Sequence, residues 1–189
     1  MAAPTAGITV FGDSETLIDI VAPSPSTPRL DLTRYVDFVR DPAAGAIATF
    51  EGTTRDTFEG RRVVELRYEA YVPMAARQIA GVCAAARATW SLRRIAVAHR
   101  LGTVPVGEAS VFVAASSVHR ADALEACRFV IDEIKASVPI WKKEVYEDGE
   151  VWKENQEFLD RRPTIAGGGT VRASCCDSTM LTKGEPDGV

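Results

Sequence analysis

The sequence predicts an α+β layer fold, with helices packed on a mostly antiparallel sheet. Three observations carry that reading. Apolar residues make up 46% and charged residues 25% of the chain, enough for a buried core. Segments with period-two alternation come in pairs separated by turn residues, as hairpins do. Helix-period segments sit between those pairs, in the order α-β-β-α-β-β-α-β-β, so helices cross over between hairpins.

The 189 residues fit one domain with extensions. We assign 1–30 to an N-terminal extension and linker, 31–158 to the folded domain and 159–189 to a flexible tail. Ile8 to Phe11 has the makings of a short strand, and the run from Ala22 to Pro28 holds three prolines and reads as a linker. The tail carries Gly167-Gly168-Gly169 among small polar residues.

Inside the domain, Asp31 or Thr33 caps a short helix with apolar positions Leu32, Tyr35, Val36 and Val39, closed by Asp41-Pro42. A strand follows over 45–53, then a loop over 56–60. The strand over 62–71 alternates, with Val64, Leu66, Tyr68 and Ala70 on one side and Glu65, Arg67 and Glu69 on the other. Pro73 opens an alanine-rich helix to about Trp90, with Met74, Ile79, Val82, Cys83, Ala86 and Trp90 in its stripe. A strand over 94–101 turns Ile95, Val97, His99 and Leu101 to one face. Residues 102–107 read as a turn region, and 109–115, apolar on both faces, as a central strand. Ser116 or Ser117 caps a helix over 119–137, whose buried stripe uses Ala123 or Leu124, Cys127, Val130 or Ile131, and Ile134. A long strand over 138–146 ends the core, and Asp148-Gly149 turns into Val151-Trp152.

Charge narrows the function. The net charge is −4, which removes any bulk attraction to nucleic acid or an acidic membrane, so an anionic ligand needs a local basic cluster. No segment approaches the ~18 apolar residues of a membrane span, and no basic-then-apolar leader opens the chain, so the cytosol is expected. The four cysteines have no metal-ligand spacing and the two histidines are too few for an obvious zinc set, so no metal site and no cofactor are expected.

Three places carry chemistry. The helix over 119–137 begins His119-Arg120, although cations are disfavoured at the positive end of a helix dipole. An anion pocket explains them; so does local neutralisation by Asp122 and Glu125. The second place is Lys135 at the end of that helix together with Lys142 and Lys143 in the following strand. Alternation sets Lys142 beside Ile140 and Lys143 beside Trp141 on opposite faces, so one lysine points into the apolar layer, where partial desolvation suits it to acid–base work. Snorkelling strand lysines are the competing reading. The third is Arg55, where a strand runs into a loop and a guanidinium can clamp a phosphate or simply face solvent. Arg120 and Lys135 are fifteen helical steps apart, roughly 22 Å. One compact ligand cannot span that, so joint use of both ends requires two copies of the chain.

Five ordered blocks now resemble a known family. They are Phe50-Glu51-Gly52-Thr53-Thr54-Arg55, Leu66-Arg67-Tyr68-Glu69-Ala70-Tyr71-Val72-Pro73-Met74, His99-Arg100-Leu101-Gly102, Ser117-Val118-His119-Arg120, and Lys135-Ala136-Ser137-Val138-Pro139-Ile140-Trp141-Lys142-Lys143-Glu144. Over about 45–155 they are similar to the molybdopterin synthase large (catalytic) subunit. The resemblance implies an α/β hammerhead with a small antiparallel subdomain. It implies a dimer of large subunits flanked by ubiquitin-like small subunits, a heterotetramer. It implies sulfur transfer from the small subunit's C-terminal Gly-Gly thiocarboxylate to cyclic pyranopterin monophosphate, giving the dithiolene of molybdopterin. The family's catalytic lysines fall on Lys135 and Lys142. Its substrate-binding residues fall on Arg55, His119, Arg120, Lys143 and Glu144, together with the two lysines. Ser137 stands where many relatives are expected to be basic, and residues 1–30 and those after about 160 lie outside the resemblance. A docking module without chemistry and an RNA-binding α+β domain are the competing classes. The retained lysines argue against the first, and the acidic chain against the second.

Overall fold

The structure is a computed structural model that describes residues 8–22 and 29–153. The tail assigned to 159–189 lies outside the described residues. Among the described residues there are three helices and ten strands, and the strands form two sheets.

The first sheet holds β1 (Ile8–Gly12), β2 (Thr16–Val21), β3 (Ala46–Thr53), β6 (Leu92–Arg100) and β8 (Ala109–Ser117), in the order β1-β2-β6-β8-β3. All its pairings are antiparallel except β2 with β6. Both faces are covered. Ile18, Ile20, Ile95, Val97, Val113 and Ala115 pack against α2 (Val72–Thr89) and α3 (Arg120–Ser137). Their neighbours in the strands, Leu17, Val21, Ala96, Ala98, Phe112 and Ala114, point the other way and pack against α1 (Leu32–Val39). The alanines make room there for Tyr35, whose ring centroid lies 6.0 Å from that of Phe112. No helix among the described residues is long and apolar enough to cross a membrane.

The second, smaller sheet is antiparallel. It runs β10 (Gly149–Lys153), β9 (Ile140–Tyr146), β5 (Arg61–Ala70), β4 (Thr57–Phe58), with β7 (Gly102–Pro105) also paired to β5.

The three helices with strand pairs between them and the two-sheet plan agree with the sequence reading; the strand count and several details differ, among them Thr57–Phe58, a short strand where the sequence predicts a loop over 56–60. Residues 8–21, assigned to an extension, form a hairpin in the first sheet. Leu17, Ile18, Ile20 and Val21 are buried on alternate sides of a strand covered on both faces, which erases the alternation that marks a half-exposed strand. Residues 102–105 are a strand rather than turn, too short to alternate visibly. A bulge between Val63 and Glu65 buries Val63 and leaves Val64 exposed. Met74 and Leu124 are exposed, and the cap of α3 is His119, because Ser116 and Ser117 are still buried in β8.

Candidate functional site

A cleft of about 430 Å³ opens between the two sheets, within the size range of small-molecule sites. The end of β3, the C-terminal turns of α3, and strands β5 and β9 form its walls. Phe50, Val111, Ile131, Ile134 and Val138 give it an apolar floor. Gly52 keeps it open on the β3 side: a Cβ there would stand 2.6 Å from a methyl of Val111.

Arg55, Lys135, Lys142 and Glu144 all line this cleft. Lys135 reaches it because α3 ends there, where a cation also suits the helix dipole. Lys142 and Glu144 reach it because they share one face of β9 with Ile140. Lys142 Nζ lies 3.3 Å from Glu144 Oε1, and Glu144 is only 4% exposed. Arg55 sits over the ring of Phe58 at 5.4 Å, which restricts its guanidinium at the rim.

Lys143 takes the opposite face of β9. Its ammonium pairs with Glu150 at 2.7 Å and stands 4.7 Å from the ring centroid of Trp152. His119 and Arg120 are at the far end of α3 and do not line the cleft of their own chain. Of the residues singled out from the sequence, one chain therefore gathers Arg55, Lys135, Lys142 and Glu144, and leaves His119, Arg120 and Lys143 elsewhere.

Sequence reasoning missed a polar wall. His99, Tyr68 and Ser110 also line the cleft, Tyr68 as the cross-strand neighbour of Lys142. The Tyr68 hydroxyl donates to Ser110 Oγ at 3.2 Å, and Ser110 Oγ donates to the Gly52 carbonyl at 3.1 Å. His99 meets Tyr68 edge-on, with centroids 5.0 Å apart. Its Nδ1 is 3.0 Å from the Arg100 carbonyl oxygen, which only accepts, so Nδ1 carries the proton. Burial lowers the His99 pKa to about 4, so the imidazole is neutral near pH 7. Burial likewise raises the pKa of Tyr68, which stays a phenol. The signal was present: His99 alternates with Ile95, Val97 and Leu101, a polar residue on a buried face.

The arrangement suits an anion. Three cationic side chains surround an apolar floor, and a buried carboxylate holds one of them. Among the described residues no group of three or more His, Cys, Asp or Glu side chains is placed to hold a metal ion. Cys83 and Cys127 are buried away from the cleft with thiol pKa values pushed up by burial, to about 12 and about 11, so neither is a ready nucleophile.

Comparisons with known proteins point one way. The MoaE protein family profile matches residues 26–137. A protein of Oryza sativa subsp. japonica described as "Molybdopterin synthase catalytic subunit" is 69% identical over 172 residues, 91% of this chain and 86% of its own. That alignment runs beyond the 45–155 stretch of the sequence resemblance. The crystal structure of molybdopterin synthase from Staphylococcus aureus superposes with a TM-score of 0.65 at 32% identity, covering 76% of this chain and 98% of that one. A Helicobacter pylori structure, described as a complex of subunits 1 and 2 of molybdopterin-converting factor, shares the fold at a TM-score of 0.59 and 21% identity, over 74% of this chain and 91% of that one.

Proposed function

Because the chain belongs to the MoaE family of molybdopterin synthase catalytic subunits, sulfur-transferring enzymes of molybdenum cofactor biosynthesis, we propose that its cleft is where the sulfur moves. The donor is the C-terminal Gly-Gly thiocarboxylate of a ubiquitin-like small subunit. The acceptor is cyclic pyranopterin monophosphate. One observation carries the reading: Lys135 from a helix end and Lys142 from a strand line the same cleft as Arg55.

Both reactants are anions, and the cations answer them. Arg55 at the rim offers a planar fork to the phosphate. Lys135 and Lys142, deeper in, draw the thiocarboxylate against the pterin and neutralise charge that develops there. Each transfer forms a carbon–sulfur bond on the pterin in place of a carbon–oxygen bond, the oxygen leaving as water from one carbon and as the opened phosphate ester from the other, and breaks the acyl carbon–sulfur bond. Water adds to the acyl carbon, and the small subunit leaves as a carboxylate. Protons must move in both steps, and Lys142, poised against Glu144, is placed to carry them. The sulfur arrives on a partner, so the buried thiols of Cys83 and Cys127 are no obstacle.

His119 and Arg120 enter this scheme from a second copy. The two ends of α3 are roughly 22 Å apart, so a dimer that sets the start of one α3 beside the cleft of the other completes the pocket. A small subunit on each cleft then gives a heterotetramer. The reading places the protein in the cytosol, with its thiols reduced.

The test is to incubate the protein with thiocarboxylated small subunit and the cyclic pterin and to look for the dithiolene. Lys135→Ala is expected to abolish product while leaving assembly intact. Unchanged turnover of that variant refutes the assignment.

A further inference from the structure

Behind the cleft, a chain of contacts ends on Lys142. We propose that Tyr146 is a positioning residue for the reaction, holding Lys142 through Glu144 and itself held by Arg61. The inference rests on Lys142 acting in sulfur transfer.

Strand alternation puts Lys142, Glu144 and Tyr146 on one face of β9. Each oxygen of the Glu144 carboxylate has its own partner. Oε1 faces Lys142 Nζ at 3.3 Å, and Oε2 accepts the hydroxyl of Tyr146. A carboxylate gripped at one oxygen presents the other in a single direction. Tyr146 is therefore what gives the Lys142–Glu144 pair its orientation, although Tyr146 does not line the cleft. The tyrosine is fixed in turn. The Arg61 guanidinium carbon lies 3.7 Å from its ring centroid, and Arg61 Nη2 is anchored on Asp148 Oδ1 at 2.7 Å.

The phenol works only as a proton donor. Burial and the neighbouring Glu144 carboxylate push the Tyr146 pKa up to about 12, so it keeps its proton at any working pH. Donation to Glu144 spreads the carboxylate's charge over two partners and tempers its pull on Lys142. The titratable and charged groups around Glu144 are Lys142 and Tyr146 on β9, Tyr68 and Arg61 on β5 and Glu59 in the turn before it, with Glu51, Arg55, His99 and Lys135 also lining the cleft.

Tyr146→Phe in the complete complex with thiocarboxylated small subunit tests this. The variant keeps the ring and loses only the hydroxyl. The expected result is a fall in kcat of about tenfold to a hundredfold, the scale of one hydrogen bond to a charged group. KM for the pterin should stay within about threefold, because Tyr146 touches no substrate. The pH–rate profile should move as well, because the carboxylate that faces Lys142 has lost its second partner. Arg61→Gln, which loosens the ring but spares the hydroxyl, should move the same quantities less.

A purely structural role predicts fewer active molecules with an unmoved pH profile, and that outcome overturns the proposal. An unchanged kcat overturns it too. Lys142→Ala separates the two levels of the argument. If that variant turns over normally, the function assigned to the cleft fails; if it is dead while Tyr146→Phe is normal in rate and pH profile, only the role of Tyr146 fails.

Discussion

Lys142→Met separates what the lysine contributes to folding from what it contributes to chemistry. Methionine keeps the apolar stem and deletes the charge. Glu144, with a side chain 5% exposed, then loses the cation at 3.3 Å. Removing one partner of a fully buried pair costs about 3–5 kcal/mol. Two features reduce the figure: Lys142 keeps 24% of its side-chain surface in water, and Tyr146 still donates to the carboxylate. About 1–3 kcal/mol remains, which in a domain of this size lowers Tm by about 3–10 °C. Lys142→Met combined with Glu144→Gln should recover at least about half of that loss, because the amide oxygen still accepts from Tyr146 and no charge is stranded. Turnover should stay absent in both. Thermal melts of the wild type, both single variants and the double variant make the cycle. A Lys142→Met protein that melts with the wild type, or a double variant less stable than that single one, refutes the view of Glu144 as a buried carboxylate that depends on its lysine.

Three other outcomes follow from the same structure. Burial holds His99 at about 4 against an ordinary 6.5, so the unfolded chain takes up a proton that the folded protein refuses. Its contribution is whole above pH 6.5 and is lost as pH falls toward 4, by about 3 kcal/mol; urea melts at stepped pH should show this fall, and a His99→Gln variant with the same slope would contradict it. Asp19 behaves in the opposite sense: fully buried beside Arg34, with one carboxylate oxygen lacking a partner, it has its pKa raised above 3.8 by desolvation. Its contribution is present below pH 3.8 and lost as pH rises through the folded value, so the stability of wild type minus Asp19→Asn should decrease as pH rises from 3.5; an increase would count against the reading. Mixing inactive Arg120→Ala with inactive Lys135→Ala should restore about a quarter of wild-type turnover after subunit exchange, since half the dimers are mixed and each has one intact pocket; no recovery would mean that each pocket is built by one copy.

The half-exposed parts of the fold were legible because burial on one side leaves a period in the sequence. Arg61–Ala70 and Ile140–Tyr146 alternate, and α3 shows its stripe from Ala123 to Ile134. Burial on both sides removes that signal. Thr16–Val21 is covered by α1 on one face and by α2 on the other, so its apolar residues run on without a polar beat, except at Asp19. That buried acid, paired with Arg34, makes the segment look like an exposed linker. The bulge at Val63–Glu65 is a different kind of loss: one extra residue reverses which valine is buried, and no residue type in the segment marks it.

The candidate site divides along the same line. Lys135, Lys142 and Arg55 stand out because a cation at a helix end, between apolar strand residues or at a strand end asks for an explanation. His99, Ser110 and Tyr68 did not stand out, because each is a single polar group on a face that otherwise reads as core. Their roles depend on partners far along the chain: Tyr68 on Ser110, and Ser110 on Gly52. Tyr146 is the extreme case, since nothing in its own segment distinguishes a packed tyrosine from one whose hydroxyl orients a carboxylate two residues earlier. A polar residue on a buried strand face has to be satisfied, and where the partner that satisfies it also faces a cleft, satisfaction and function become the same contact. The site is thus readable from sequence in its charges and unreadable in the neutral groups that aim them.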